Sequence, residues 1–362
     1  MNNNLEKNLS HGGNVWKAAE ELGVKVHDII DFSASINPLG PPTYAIEAIQ
    51  NYLRLTEHYP EPSGKEFKLT LKKHLEIDPN NIVLGNGSME LIYLISRLFY
   101  KRRILTLAPS FSAYGKGINN PQIIRIPLDN NKNFKLPIGD LISNIQQNDL
   151  IFIANPNNPT GNVFKREDLL HILQTAAKLQ AILVIDEAFM DFVTEQNESL
   201  KDLVYKYDNL IILRSITKFF ALPGLRLGYA IASEEIISLM EDILPPWRVN
   251  TLALAAGKAS IEDYEYIEKS HKLIKQEKEY LQTQLENLKE LKVYPSTANF
   301  LLIEILNSNI TANSLQQHIK NNSILIRDCS SFPGLSPYYF RIAVKSRIYN
   351  EKLIEQMRCI FK

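Results

Sequence analysis

From position 82 onward the chain repeats one pattern, a short and continuously apolar run bounded by turn residues. The runs are Ile82-Val83-Leu84, Ile104-Leu105-Thr106-Leu107, Ile151-Phe152-Ile153-Ala154, Ile182-Leu183-Val184-Ile185, Leu210-Ile211-Ile212-Leu213 and Leu227-Gly228-Tyr229-Ala230-Ile231. A strand with one wet face alternates apolar and polar residues. A run without alternation is a strand covered on both faces. Helical stretches at 89–99 and 166–179 lie between these runs. The alternation predicts an α/β fold whose large domain carries a mostly parallel sheet. Near position 261 the texture changes. Residues 263–290 read as a long charged helix with Ile267, Ile274, Leu281, Leu285 and Leu288 on one face. Shorter strands follow at 300–305, 324–327 and 339–344, which predicts a smaller α+β domain. The proline-rich stretch 38–42 separates an N-terminal arm from the first helix of the body. The expected division is an arm over 1–40, a large domain over 41–262 and a small domain over 263–362.

Charge removes several classes of function. Lys and Arg total 40 and Asp and Glu total 40, so no excess of either sign argues for nucleic acid or an anionic membrane surface. The basic run 101–103 is short and reads as a solvated helix end. Two cysteines, Cys329 and Cys359, form no disulfide framework and fit a reducing compartment. Residues 1–10 are polar and Asn-rich and lack the apolar core of a signal peptide. No apolar run reaches membrane-spanning length. The expectation is a cytoplasmic protein.

In sheets of this kind ligands bind beyond the carboxyl ends of the strands, and three polar segments fall there. Asn155-Pro156-Asn157-Asn158-Pro159-Thr160-Gly161 follows one strand, Asp186-Glu187 ends the next, and Ser215 to Lys218 follows a third. Asp186 reads either as a strand-terminal turn residue or as a buried carboxylate, which needs a partner. A protonated pyridine nitrogen is such a partner, and it is what makes pyridoxal phosphate an electron sink. Lys218 lies between Ile216 and Phe219-Phe220. A lysine among apolar groups has a lowered pKa and acts as an amine nucleophile. Ser215, Thr217 and Arg226 together suit a phosphate, the arginine through bidentate contacts. Gly85-Asn86-Gly87-Ser88-Met89-Glu90 joins a strand to a helix and offers free backbone N–H groups to an anion. It is not a nucleotide-binding P-loop, because no Gly-Lys-Ser/Thr follows. The histidines His27, His58, His74, His171, His271 and His318 show no metal-ligand spacing, so no metal site is expected.

The order Asn-Asn-Pro-Thr-Gly, strand-Asp-Glu-Ala, Ser-x-Thr-Lys and Gly-Leu-Arg-Leu-Gly-Tyr resembles the fold-type I pyridoxal-phosphate enzymes related to aspartate and histidinol-phosphate aminotransferases. The resemblance covers essentially the whole chain. It implies that Lys218 is the Schiff-base lysine, Asp186 the pyridinium partner and Asn158 a hydrogen-bond donor to the cofactor O3′. It implies a phosphate held by the backbone of Gly87, Ser88 and Met89 together with Ser215 and Arg226. Phe111 matches the aromatic that stacks on the ring, with Tyr114 as second candidate. Tyr59 matches a tyrosine that reaches the cofactor phosphate of a partner subunit, which implies a homodimer.

The N-terminal third narrows the match. His11-Gly12-Gly13-Asn14, Ala18-Ala19 and Asp31-Phe32-Ser33-Ala34-Ser35-Ile36-Asn37-Pro38-Leu39-Gly40 look like the threonine-phosphate decarboxylases of cobalamin biosynthesis. Arg214 to Phe219, Ile324 to Cys329 and Tyr338 to Ala343 support the same match. The implied reaction converts L-threonine O-3-phosphate to (R)-1-amino-2-propanol O-2-phosphate and CO2. The implied substrate contacts are His11, Gly12, Ser35, Asn158, Arg327 and Arg341. Two positions depart from related patterns. Position 35 is Ser where Asn is usual, and position 189 is Phe where the aminotransferases usually carry a Tyr that bonds O3′. Phe189 favours the decarboxylase over a histidinol-phosphate aminotransferase. A non-catalytic pyridoxal-phosphate effector module is a third reading. It is disfavoured by the intact lysine and by the lack of room for a DNA-binding domain ahead of position 41.

Overall fold

The computed structural model describes residues 12–194, 198–306 and 309–361. After a two-residue strand β1 (Ile30–Asp31), the chain builds its large sheet from β2 (Ile82–Gly85), β3 (Ile104–Ala108), β4 (Ile123–Pro127), β5 (Leu150–Ala154), β6 (Ile182–Asp186), β7 (Leu210–Ser215) and β8 (Gly228–Ala232). Their spatial order is β2-β8-β7-β6-β5-β3-β4. Pairings among β4, β3, β5, β6 and β7 are parallel, and β8 alone runs against both of its neighbours. Every residue of β2, β3, β5, β6, β7 and β8 is buried, as unalternated apolar runs require. Val83, Phe152, Val184, Ile211 and Leu213 meet Leu91, Ile95, Ile236 and Met240 of helices Ser88–Leu98 and Glu234–Glu241 on one face. Leu84, Leu105, Ile151, Ile185 and Ile212 meet helices Lys65–Leu75, Arg166–Lys178 and Thr251–Ile261 on the other. The parallel sheet is thus enclosed by the helices that connect its strands. β4 is one of the two edge strands, with Arg125 exposed and a terminal Pro127, features that discourage further pairing.

Past the long helix Tyr264–Glu286 come β9 (Leu291–Val293), β10 (Phe300–Ile305), β11 (Ile324–Leu325), β12 (Arg327–Asp328) and β13 (Tyr339–Ala343). Four of these form an antiparallel sheet in the order β12-β13-β10-β9. The strand expected over 324–327 divides at Ile326. Its first half, β11, pairs in parallel with β1, and only its second half, β12, enters the four-stranded sheet. Segment 12–35 is bound to this end of the chain. Ala18, Ala19 and Ile29 pack with Leu325, Phe32 N donates to Leu325 O at 2.8 Å, and Ala343 N donates to Phe32 O at 2.8 Å. Among the described residues no helix is long and apolar enough to cross a membrane, and no cluster of three metal-binding side chains occurs.

Candidate active site

Strands β5, β6 and β7 are neighbours, so their carboxyl ends bring the 155–161 loop, Asp186 and the Ser215–Lys218 segment to one cavity. β2 delivers the start of helix Ser88–Leu98 to the same place, and the segment after β3 delivers Phe111.

Asp186 is buried at the end of β6. Tyr114 donates its hydroxyl to Oδ2 at 3.1 Å and Ala188 N donates to Oδ1 at 3.1 Å. Neither brings positive charge, and burial pushes the carboxyl up to about 6. Tyr114 does not line the cavity. Its ring lies flat on Phe152 at 4.7 Å, and its phenol orients Asp186 from below. Phe111 does line the cavity.

Lys218 lies within the short helix Ile216–Phe219 and is half-buried where it lines the cavity. Desolvation brings its amine down to about 8, with the guanidinium groups of Arg341 and Arg226 adding to the effect. Asn37 fixes the backbone here. Its N–H donates to Lys218 O at 3.1 Å, and its side-chain amide donates to Phe219 O at 2.8 Å.

Beneath Asp186 and Ser215 runs an ion network. Arg214 Nε donates to Glu187 Oε2 at 2.6 Å, Arg214 Nη1 to Asp191 Oδ1 at 2.8 Å, and Ser199 Oγ to Glu187 Oε2 at 3.0 Å. This pair ties the end of β6 to the end of β7. Sequence reasoning gave neither residue a role, although a charge ending each of two adjacent apolar strands was the available signal.

The glycines shape a phosphate-sized recess. A Cβ at Gly87 (φ +77°) would meet Arg226 Nη2 at 2.6 Å, and a Cβ at Gly228 would meet Ser88 N at 2.5 Å. Arg226 therefore lies directly over the N-terminal end of helix Ser88–Leu98, whose first N–H groups have no intrahelical acceptor. Ser215 Oγ and Thr217 Oγ1 lie 2.8 Å apart, and both residues line the cavity with Ser88, Met89 and Arg226.

The opposite wall comes from the chain's two ends, with Gly12, Ser33, Ser35, Arg327, Phe332 and Arg341. Arg327 and Arg341 face each other directly across the β12–β13 pair. Like charges opposite one another destabilise a sheet. Among the described residues, neither has a carboxylate within ion-pair distance. Arg341 donates Nη1 to Asn158 Oδ1 and Nη2 to Ser33 O, the latter at 3.1 Å. Its guanidinium sits 4.9 Å from the Phe300 ring centre. Its Nε finds no acceptor and neither does Ser35 Oγ, although both are buried. Desolvation pulls Arg341 down to about 10. Arg327 donates to Ser331 Oγ at 3.2 Å and rests over Phe332. Phe189 also lines the cavity, edge-on to Phe300 at 5.0 Å.

One more expected site residue stands apart. Tyr59 is 80% exposed and packs on Trp247 at 4.9 Å, away from this cavity. His11 lies outside the described residues.

Residues 27–357 match the family model described as aminotransferase class I and II. The chain is 34% identical to the threonine-phosphate decarboxylase of Salmonella typhimurium over 357 residues, 97% of this chain and 96% of that protein. It is also 34% identical to the histidinol-phosphate aminotransferase of Clostridium kluyveri, over 327 residues, 88% of this chain and 89% of that one. Among solved structures, the L-threonine-O-3-phosphate decarboxylase from Porphyromonas gingivalis superposes with a TM-score of 0.81 at 26% identity, covering 92% of this chain and 99% of that one.

Proposed function

The chain belongs to the class I and II aminotransferase family, and from that premise we propose that it decarboxylates L-threonine O-3-phosphate to (R)-1-amino-2-propanol O-2-phosphate, a step of cobalamin biosynthesis, with pyridoxal phosphate as cofactor. The observation that carries this reading is the facing pair Arg327 and Arg341. Two cationic side chains share one wall, lack carboxylate partners among the described residues and leave a buried Nε unpaired. A substrate carrying both a carboxylate and a phosphate satisfies both. The decarboxylases are matched over nearly the full length of chain and relative alike, and Phe189 offers no hydroxyl to the cavity.

The residues fit the cofactor. Asp186 is a buried acid without a cation, Lys218 is a cavity-lining amine of lowered pKa, and the recess at Gly87 and Gly228 admits no side chain of its own. Lys218 would hold pyridoxal phosphate through its amine, Asp186 would face the ring nitrogen, Phe111 the ring face and Asn158 the O3′. Gly87, Ser88, Met89, Ser215, Thr217 and Arg226 would hold its phosphate. Bound there, it supplies a sink for the electron pair released when a bond to the substrate Cα breaks.

The protein's part is orientation and proton delivery. Arg341, fixed by Asn158 and Ser33 O, holds the α-carboxylate so that its bond to Cα is the one aligned to break. Arg327, Ser35, Gly12 and the adjoining His11 take the substrate phosphate, and that remote binding energy secures the rotamer. CO2 leaves, and the Lys218 amine delivers a proton to Cα in its place. Asp186, whose ionised form burial disfavours, would be held ionised by a positive ring nitrogen.

A homodimer completes the proposal. Tyr59 packs on Trp247 and is exposed, as are Tyr44, Tyr52, Leu53 and Leu55, and from there Tyr59 would reach the cavity of a second copy. The deciding experiment runs two assays on one preparation. CO2 and aminopropanol phosphate are expected from threonine phosphate, with little glutamate from histidinol phosphate plus 2-oxoglutarate. Rapid glutamate formation without CO2 would replace this reading with the aminotransferase.

A further inference from the structure

Ser33 occupies a junction that the reaction chemistry does not itself require. Its backbone lies between the two ends of the chain, because the residue before it bonds both Leu325 and Ala343. Its carbonyl accepts Arg341 Nη2 at 3.1 Å. Its hydroxyl donates to Asp31 Oδ1 at 2.6 Å and accepts the Gly13 N–H at 2.7 Å. The same Asp31 oxygen accepts Ser33 N at 2.7 Å and Ala34 N at 3.3 Å. A hydroxyl that donates to a carboxylate is polarised and becomes a better acceptor. The Gly13 bond is therefore the outer link of a charge-assisted chain.

Contact at this junction is close enough to dictate residue type. A Cβ at Gly12 would lie 2.5 Å from Ser33 O, and Gly13 adopts φ +90°. Gly12 itself lines the cavity. The wall segment 12–13 is thus seated by one side-chain hydroxyl, on the same residue whose carbonyl holds Arg341.

We propose that Ser33, oriented by Asp31, is a positioning residue that latches the Gly12–Gly13 segment onto the cavity and couples its seating to Arg341. The consequence for substrate rests on the reading given under Proposed function, in which this segment borders the substrate phosphate. Ser33 then acts on substrate binding through Gly12 and Arg341, without touching the bond that breaks.

The test uses the full-length holoenzyme and two variants. Ser33→Ala removes the latch. Asp31→Asn keeps an acceptor oxygen but removes the charge, and it carries the test if Ser33→Ala fails to fold. Hydrogen exchange at the Gly13 amide, read by mass spectrometry on peptides spanning it, should quicken about tenfold in Ser33→Ala, and by less in Asp31→Asn. KM for threonine phosphate should rise about tenfold in Ser33→Ala with kcat within about twofold of wild type. Unchanged exchange at Gly13 in both variants would overturn the latch. So would a parallel loss of kcat and KM performance together with faster exchange throughout the chain, since that marks a merely structural residue. Should wild type fail to turn over threonine phosphate, the proposed function falls, and Gly13 exchange alone still decides the latch.

Discussion

Replacing Arg214 with Met tests whether the ion network under the cavity holds the site together. Arg214 and Glu187 are 1% and 0% exposed, with Nε and Oε2 2.6 Å apart. Removing the guanidinium leaves the Glu187 carboxylate with the Ser199 hydroxyl as its hydrogen-bond donor, and its Oε1 already lacks one. Breaking a buried pair from one side costs about 3–5 kcal/mol, because the remaining charge is uncompensated. Asp191, 20% exposed, stays hydrated and adds little. The loss depends on pH in a defined direction. Burial already raises the Glu187 pKa, and Arg214 opposes that rise. Without Arg214 the folded-state pKa climbs further above its unfolded value. The stability of such a group is fully present below the unfolded pKa and is lost as pH rises through the folded one. The deficit of Arg214→Met should therefore be largest near pH 8 and shrink as pH falls toward 5. Urea unfolding of wild type and variant at both pH values measures it. The double variant Arg214→Met/Glu187→Leu should be less impaired than the single one, since an apolar pair leaves no stranded charge. A deficit below about 1 kcal/mol, or one unchanged between the two pH values, refutes the reasoning.

Three other outcomes follow from the site. Because the Lys218 amine is lowered to about 8, covalent capture of pyridoxal phosphate by the apo-protein should speed up as pH rises through 8 and level off above it. Lys218→Ala should retain no borohydride-fixed cofactor, and a flat capture profile would contradict the role. Arg327→Ala should lower kcat/KM for threonine phosphate by about ten- to a hundredfold, the loss of a charge-assisted contact of ~1.5–3 kcal/mol. Unphosphorylated threonine should be a poor substrate and nearly indifferent to the change, and equal losses for both would mark Arg327 as structural. Mixing inactive Tyr59→Ala and Lys218→Ala chains should restore part of the activity, because a mixed dimer has one site free of both defects. No recovery after verified subunit exchange would rule out a shared site.

The covered strands were legible because residues such as Ile182 to Ile185 show no alternation, and only a strand with two dry faces tolerates that. The place of Asp186 at the cavity was legible because it follows such a run directly, and that of Lys218 because a polar segment carries it just past the next run. β4 was not, because an edge strand mixes Arg125 and Pro127 into its apolar residues. The division at Ile326 was hidden for another reason, since an apolar run does not say which sheet each half joins. Tyr114 showed itself only as an aromatic near Phe111. Its packing on Phe152 and its bond to Asp186 depend on two strands lying side by side. The same holds for Arg327 opposite Arg341, for Arg214 with Glu187, and for Ser33 with Gly13. Each is a relation between segments, and linear spacing carries no such relation.

The pairing of Ile30 with Ile324 orders events during synthesis. A chain emerging from the ribosome can assemble β3 to β7 early, because each of these strands finds neighbours within the same stretch. β1 cannot pair until nearly the whole chain has been made, and bringing such distant segments together carries a large closure entropy. The wall from Gly12 to Ser35 is therefore among the last parts of the cavity to be fixed, despite being translated first. A nascent chain stopped before β11 would possess Lys218 and Asp186 yet lack the partners that fix the wall facing them. Truncation at the C-terminus thus unseats residues at the opposite end of the sequence.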